Sequence, residues 1–144
     1  MNYRRIELIT GLGAGLLGML GLAYTLFGPT YSYQEATLNS DGTTSMTSGT
    51  ASLLETQGLQ PITVIVLVVL GLLVAGVAVG SYLHSRRGLS AGRLLLGVST
   101  ALLGFSIVMT GWGFGPTLLP SWGFALVAAM MADRIKRQQG AAQV

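Results

Sequence analysis

The chain has 144 residues, of which 51% are hydrophobic and 9% are charged, against roughly a quarter charged in soluble domains. It has eight Lys and Arg residues, one His and no Cys, and its isoelectric point is near 9.7. This composition excludes an ordinary soluble domain, a disulfide scaffold and thiol redox chemistry, and it predicts a protein built for lipid.

The basic residues form short clusters beside long apolar runs. They are Arg4 and Arg5, then Arg86 and Arg87 with Arg93, then Arg134, Lys136 and Arg137. Because Lys and Arg are retained on the cytoplasmic side, two basic termini and one basic middle loop predict an even number of crossings with both termini inside. We therefore predict an all-α membrane protein, a four-transmembrane-helix bundle with an extracytoplasmic β-hairpin between helices 1 and 2, forming one domain in a bacterial cytoplasmic membrane. Membrane lipid is the expected surrounding, and no nucleic-acid partner is expected.

The first predicted span covers residues 8–27. Gly11 and Gly15 form a pair of small residues one helical turn apart, and Gly18 continues the same face, which is typical of membrane helices that pack closely. The apolar run is longer than that of a signal peptide and is not followed by a clean cleavage site. An uncleaved first helix is therefore the favoured interpretation.

The segment 28–60 contains no Lys or Arg and is predicted to lie outside. Tyr-rich and Thr-rich stretches flank Asp41 and Gly42, a residue pair that favours a two-residue type I′ turn. That turn predicts a hairpin in which Ser40 pairs with Thr43 and Leu38 pairs with Ser45. The alternative, suggested by the density of Ser and Thr, is a flexible spacer.

An isolated two-stranded hairpin is marginally stable in water, so this one is expected to rest on the helix ends or to add to a strand of a partner. The candidate partner-binding residues are Tyr31, Tyr33, Gln34, Glu35, Asp41 and Gly42.

The second predicted span, residues 61–83, begins at Pro61, which suits the first turn of a helix. Its valine run would favour a strand in water, but lipid requires that backbone polar groups pair within the segment, so a helix is predicted. Gly76 and Gly80 are its candidate helix-packing residues. A short inner loop is predicted over 84–93.

The third predicted span covers residues 94–110, with Gly97 and Gly104 spaced by seven and so on one packing face. An outer turn over 111–117, a short fourth span over 118–132 and an inner tail over 133–144 follow. The predicted interfacial anchors are Trp112, Phe114, Trp122, Arg86, Arg87, Lys136 and Arg137.

Few side chains are candidates for a catalytic, cofactor-binding or metal-binding role. Glu7, at the start of the first span, is interpreted as complementing the helix dipole and pairing with Arg4 or another nearby basic residue, and Asp133 has Arg137 one helical turn away. His84 is the only histidine and is interpreted as an interfacial residue. No catalytic, cofactor or metal site is predicted, and an enzyme is not expected.

The predicted layout of four spans with a long first outer loop resembles that of claudin-type tetraspan proteins. The segment 30–60 lacks the Trp and Cys residues of that family's first outer loop, so the resemblance implies no function. Small multidrug-resistance transporters also have four helices, but their glutamate lies deep in the membrane, whereas Glu7 lies at an edge. We expect a structural or accessory membrane protein that acts through protein contacts as a subunit or scaffold, or as a homo-oligomer. The alternative is a small oligomeric transporter or channel with a Ser/Thr-lined pathway.

Overall fold

The computed structural model describes residues 3–58, 60–110 and 115–141 and is mostly helical, at 78%. Its elements are α1 (Tyr3–Phe27), β1 (Tyr31–Leu38), β2 (Thr44–Ala51), α2 (Leu53–Gln57), α3 (Pro61–Arg87), α4 (Ser90–Thr110) and α5 (Gly115–Ala141). Helices α1, α3 and α4 and the Gly115–Ile135 part of α5 are long and apolar enough to cross a membrane. The predicted four apolar helices, with a hairpin between the first two, are confirmed.

The helices extend further than the predicted spans. Helix α3 begins at Pro61 as expected, but it continues to Arg87, and α4 already begins at Ser90. The connection predicted over 84–93 is therefore reduced to a turn of two residues. Gly88 adopts φ +66°, its N–H donates to the His84 carbonyl at 3.0 Å, and the next N–H donates to the Leu83 carbonyl at 3.4 Å, which is the usual glycine-ended helix terminus.

The four long helices form a ring in which each packs mainly against two neighbours. Helix α1 lies against α3 and α5, and α4 lies against the other sides of α3 and α5. The N-termini of α1 and α4 and the C-termini of α3 and α5 share one end, which we call the basic end because it carries every Lys and Arg cluster. The opposite end, where β1 and β2 connect, is the hairpin end.

The core of the bundle is built from small and branched side chains in two clusters. The cluster nearer the basic end contains Ala14, Val77, Leu96, Ala125, Ala128 and Ala132, and the other contains Leu22, Leu70, Val74, Leu103, Ile107 and Leu118. Large apolar side chains on the outside of the helices remain open, for example Leu16 at 65% and Val108 at 78% exposure. Such an apolar exterior suits a lipid surrounding.

Close contact between α3 and α4 requires glycine at particular positions. A Cβ added to Gly80 would lie 2.6 Å from the Leu96 backbone nitrogen and 2.8 Å from the Gly92 carbonyl oxygen, so no side chain fits there. A Cβ on Gly11 of α1 would overlap the Ser81 side chain of α3. The same crowding occurs at Gly15, Gly18, Gly76 and Gly104, which lie against Ala78, Val74, Ser99 and Trp122. Gly97 differs, because a Cβ there would have no heavy atom within 4 Å, and its role in packing stays a prediction.

Side-chain hydrogen bonds also join the helices. The Ser121 hydroxyl of α5 donates to the Ala14 carbonyl of α1 at 2.7 Å, and the Trp122 indole N–H donates to the Thr100 carbonyl of α4 at 3.2 Å. The hydroxyls of Thr25 and Thr117 lie 2.9 Å apart. These bonds satisfy polar groups that would otherwise lie unpaired against lipid or apolar side chains.

Candidate functional site

The hairpin is the most exposed ordered part of the chain. Strands β1 and β2 are antiparallel, and their register pairs Tyr33 with Gly49, Thr37 with Ser45 and Leu38 with Thr44. The predicted pairing of Leu38 with Ser45 is therefore wrong by one residue. Within the described residues the sheet has two strands, so that each strand has one edge without a strand partner.

The register differs because the turn has three residues rather than two. The Asn39 N–H donates to the Thr43 carbonyl at 2.8 Å, and the Gly42 N–H donates to the Asn39 carbonyl at 3.0 Å. Gly42 has φ +82°, whereas no described residue other than glycine has a positive φ. A type I turn followed by a left-handed glycine is the usual three-residue connection, and the predicted type I′ turn would require a positive φ at Asp41 as well.

Asp41 is engaged inside this turn. Its carboxylate accepts the Thr43 N–H at 3.0 Å and the Thr43 hydroxyl at 2.6 Å. These hydrogen bonds stabilise the charged form and hold the pKa of Asp41 below its ordinary value of 3.8. Asp41 and Gly42 at the tip, both predicted to bind a partner, thus stabilise the conformation of the turn.

The two faces of the hairpin differ in character, because neighbouring residues of a strand point to opposite faces. One face carries Tyr31, Tyr33, Glu35 and Thr37, and the Tyr33 ring covers Gly49 so closely that a Cβ on that glycine would lie 2.6 Å from the phenol oxygen. The other face carries Ala36, Leu38 and Met46, which we call the apolar patch. Leu38 is 74% and Met46 is 78% exposed.

Helix α2 fixes the base of the hairpin to the bundle. The Ser52 hydroxyl accepts the Glu55 N–H at 3.2 Å, and the Glu55 carboxylate accepts the Ser52 N–H at 2.7 Å, which is a capping box. These bonds also lower the pKa of Glu55 from its ordinary value of 4.5. Leu53 is buried where α2 packs against α1. A recess of about 380 Å³ lies between strand and helix and is lined by Tyr33, Thr50, Ala51, Glu55 and Thr56.

A buried Glu–His contact connects α1 and α3 at the basic end. The Nδ1 atom of His84 lies 2.8 Å and 3.0 Å from the two Glu7 carboxylate oxygens. The Glu7 side chain is fully buried and that of His84 is 11% exposed. The Ser81 hydroxyl donates to the Glu7 carbonyl at 3.3 Å in the same contact. The sequence predicted Arg4 or a nearby basic residue as the partner of Glu7, whereas the structure pairs Glu7 with His84 of another helix and leaves Arg4 as an electrostatic neighbour.

The sequence contained a usable signal for this pair. Glu7 immediately precedes the first predicted span and His84 immediately follows the second, and consecutive antiparallel helices bring such positions to the same level. The other predicted acid behaves as expected, because Asp133 accepts a bond from Arg137 at 2.9 Å on the exposed surface of α5. Such an exposed pair contributes little to stability.

The predicted interfacial anchors have different surroundings. Arg86 and Arg87 are exposed at the end of α3. Trp122 is half-buried among the helices, where its indole lies against Gly104. Trp112 and Phe114 lie outside the described residues, and so does the side chain of Lys136.

Within the described ranges, no group of three or more His, Cys, Asp and Glu side chains is placed to hold a metal ion. Comparisons with protein families, with curated proteins and with solved structures found no match. Any functional conclusion therefore depends on the geometry of the hairpin and of the basic end.

Proposed function

We propose that this chain is a small accessory membrane protein that acts through protein contacts, with the hairpin as its binding surface. The observation that supports this is the exposure of an ordered two-stranded sheet on both faces and along both edges. A sheet of two strands has little stability of its own, and open edges are the usual templates for adding a strand of another chain. The hairpin therefore offers open edges to which a strand of a partner protein can be added.

The charge distribution sets the orientation in this proposal. The basic end faces the cytoplasm under the positive-inside rule, which places both termini inside and the hairpin outside. The chain outside the membrane, residues 28–60, carries Glu35, Asp41 and Glu55 and no Lys or Arg. Electrostatic complementarity then favours a partner surface that carries Lys or Arg near the hairpin.

The apolar patch supplies a second recognition element. Ala36, Leu38 and Met46 share one face near the tip, and nothing in the hairpin's own structure needs two large apolar side chains exposed to water there. Burial of Leu38 and Met46 against a partner would remove most of their surface from water. A patch of this size fits one apolar groove on another membrane protein rather than a broad flat interface.

Site-specific photocrosslinking in cells tests the proposal. A photoreactive residue is placed at Leu38 or Met46, in the apolar patch, and the matched control positions are Thr37 and Thr47 on the opposite face. We expect one discrete protein adduct from the patch positions and a weaker one or none from the controls. Equal labelling from all four positions, or labelling of lipid alone, would contradict the proposal. An adduct of twice the chain's own mass would identify a homo-oligomer.

The alternative is an oligomeric transporter or channel lined by Ser and Thr. Thr63, Ser99 and Thr100 are buried in the helices, which is the arrangement such a pathway needs. The hydroxyl of Thr100 already donates to the Leu96 carbonyl at 2.7 Å, however, and that of the half-buried Ser106 donates to the Leu102 carbonyl at 2.8 Å. Hydroxyls engaged with their own helix favour packing over transport. Solute flux into proteoliposomes distinguishes packing from transport when all four residues are changed to alanine, because unchanged flux rejects the pathway.

A further inference from the structure

A recess bordered by arginines lies at the basic end, between the start of α1 and the last turn of α3. Its volume is about 630 Å³, and it is lined by Arg4, Arg5, Leu8, Ile9, Ser85 and Arg86. We propose that this recess binds the phosphate-bearing headgroup of an anionic phospholipid, while an acyl chain of the same lipid lies along Leu8 and Ile9. This proposal is independent of the role of the hairpin.

The charge of the recess calls for an anion. Arg4 comes from α1 and Arg86 comes from α3, and both are exposed residues. Guanidinium groups present a planar set of donors that matches phosphate oxygens, and like charges gathered in one recess repel each other unless an anion lies among them. The neighbouring acid offsets this charge only in part, because Glu7 interacts electrostatically with Arg4 but both of its carboxylate oxygens lie within hydrogen-bond distance of His84.

The apolar side of the recess distinguishes a lipid from a free phosphate ion. Leu8 and Ile9 lie about four residues further into α1 than the arginines, which is about 6 Å along the helix axis. Ile9 is 59% exposed on the outside of the bundle. Basic groups at headgroup depth with apolar side chains just below them match the two parts of a phospholipid, and basic pockets between membrane helices are known to bind such headgroups.

The walls of the recess are held in place by the contacts beneath it. The Glu7–His84 pair joins the two helices within one turn of Arg4 and Arg86, and the close contact of Gly11 with Ser81 continues the junction one turn deeper. The arginine-bearing helix ends therefore have a fixed separation before a ligand binds. A preformed arrangement lowers the ordering cost of binding.

Native mass spectrometry of the purified chain in mild detergent tests this site. Titrations use phosphatidylglycerol and phosphatidylcholine with the same acyl chains, and glycerol phosphate as the chain-free competitor. The site variant is Arg4→Gln/Arg86→Gln, and the control Arg87→Gln/Arg134→Gln removes the same charge outside the recess. Far-UV circular dichroism of each variant verifies the helical fold.

We expect the wild-type protein to prefer phosphatidylglycerol. The site variant should bind this lipid roughly 30-fold more weakly, since the two arginines contribute about equally to the affinity for the headgroup. The control should stay within about threefold of wild type, because Arg87 and Arg134 do not line the recess. Ile9→Ser should weaken binding roughly fivefold with all arginines in place. Equal losses in both double variants would overturn the site in favour of general charge attraction. Displacement of the lipid by equimolar glycerol phosphate would instead show a phosphate site without a lipid role.

Discussion

Removal of the His84 imidazole isolates a buried carboxylate. In His84→Ala, the fully buried Glu7 side chain loses the nitrogen that lies 2.8 Å and 3.0 Å from its oxygens. Breaking a buried pair by deleting one partner costs about 3–5 kcal/mol in soluble proteins, whereas single interhelical hydrogen bonds in membranes average about 0.6 kcal/mol.

The structure places the expected loss between these limits. His84 is 11% exposed, so its deletion admits some water, and Arg4 interacts electrostatically with Glu7 and compensates part of the charge. We therefore expect His84→Ala to lower the free energy of unfolding by about 2 kcal/mol. In the same background Glu7→Gln should restore part of this loss, because a neutral amide of similar shape costs less to bury than an unpaired carboxylate.

The free energy of unfolding is measured by steric trapping or by far-UV circular dichroism in mixed detergent micelles. Arg87→Ala, an exposed change in the same helical turn, is the matched control and should stay within about 0.5 kcal/mol of wild type. The reasoning would be refuted if His84→Ala matched this control. It would also be refuted if Glu7→Gln/His84→Ala were no more stable than His84→Ala alone.

Three further predictions concern the helix contact and the hairpin. Gly80→Ala should destabilise the bundle by about 1–3 kcal/mol because its Cβ would meet the α4 backbone, whereas Gly71→Ala, with no heavy atom within 4 Å, should be neutral or stabilising in the same unfolding assay. Gly42→Ala should loosen the hairpin by about 1–2 kcal/mol, since φ is +82° there, and unchanged amide shifts of the strands in NMR spectra would contradict this. Because the pKa values of Asp41 and Glu55 are lowered in the folded chain, their contributions to stability are complete above their ordinary values of 3.8 and 4.5 and are lost as the pH falls through the lowered values. Acidification from about pH 6 to a pH below both lowered values should therefore weaken the hairpin turn and the start of α2, and pH-independent amide shifts in both segments would refute this.

Hydropathy and charge predicted the helices well but not their ends. Pro61 marks the start of α3 correctly, since a first-turn proline leaves no hydrogen bond unmade. The second membrane span is predicted to end at Leu83, which is a statement about the apolar run and not about the helix. The helix continues to Arg87, since polar residues sustain a helix that leaves the apolar layer, and Gly88 then ends it. The length of an apolar run indicates the thickness of lipid that the helix crosses, and not the full length of the helix.

Local sequence patterns do not predict the type of the hairpin turn or the contact between Glu7 and His84. The Asp41–Gly42 pair predicted a hairpin but the wrong turn, because the hydrogen bonds of Thr43 to Asp41 favour a three-residue connection that the residue pair alone does not specify. Glu7 and His84 are 77 positions apart, and their contact depends on the separation of α1 and α3. That separation is set by the glycine and serine that meet one turn deeper, at Gly11 and Ser81.

The pairing of α1 with α5 has a consequence for the order of assembly during synthesis. Ser121 bonds to Ala14 across 107 positions, so the first helix must wait for the last before its glycine face is fully covered. Helices α3 and α4, joined by a turn of two residues, can associate as soon as both are made. Local contacts form faster than distant ones, so the nascent chain should hold an α3–α4 pair with α1 incompletely covered until translation of α5 closes the ring.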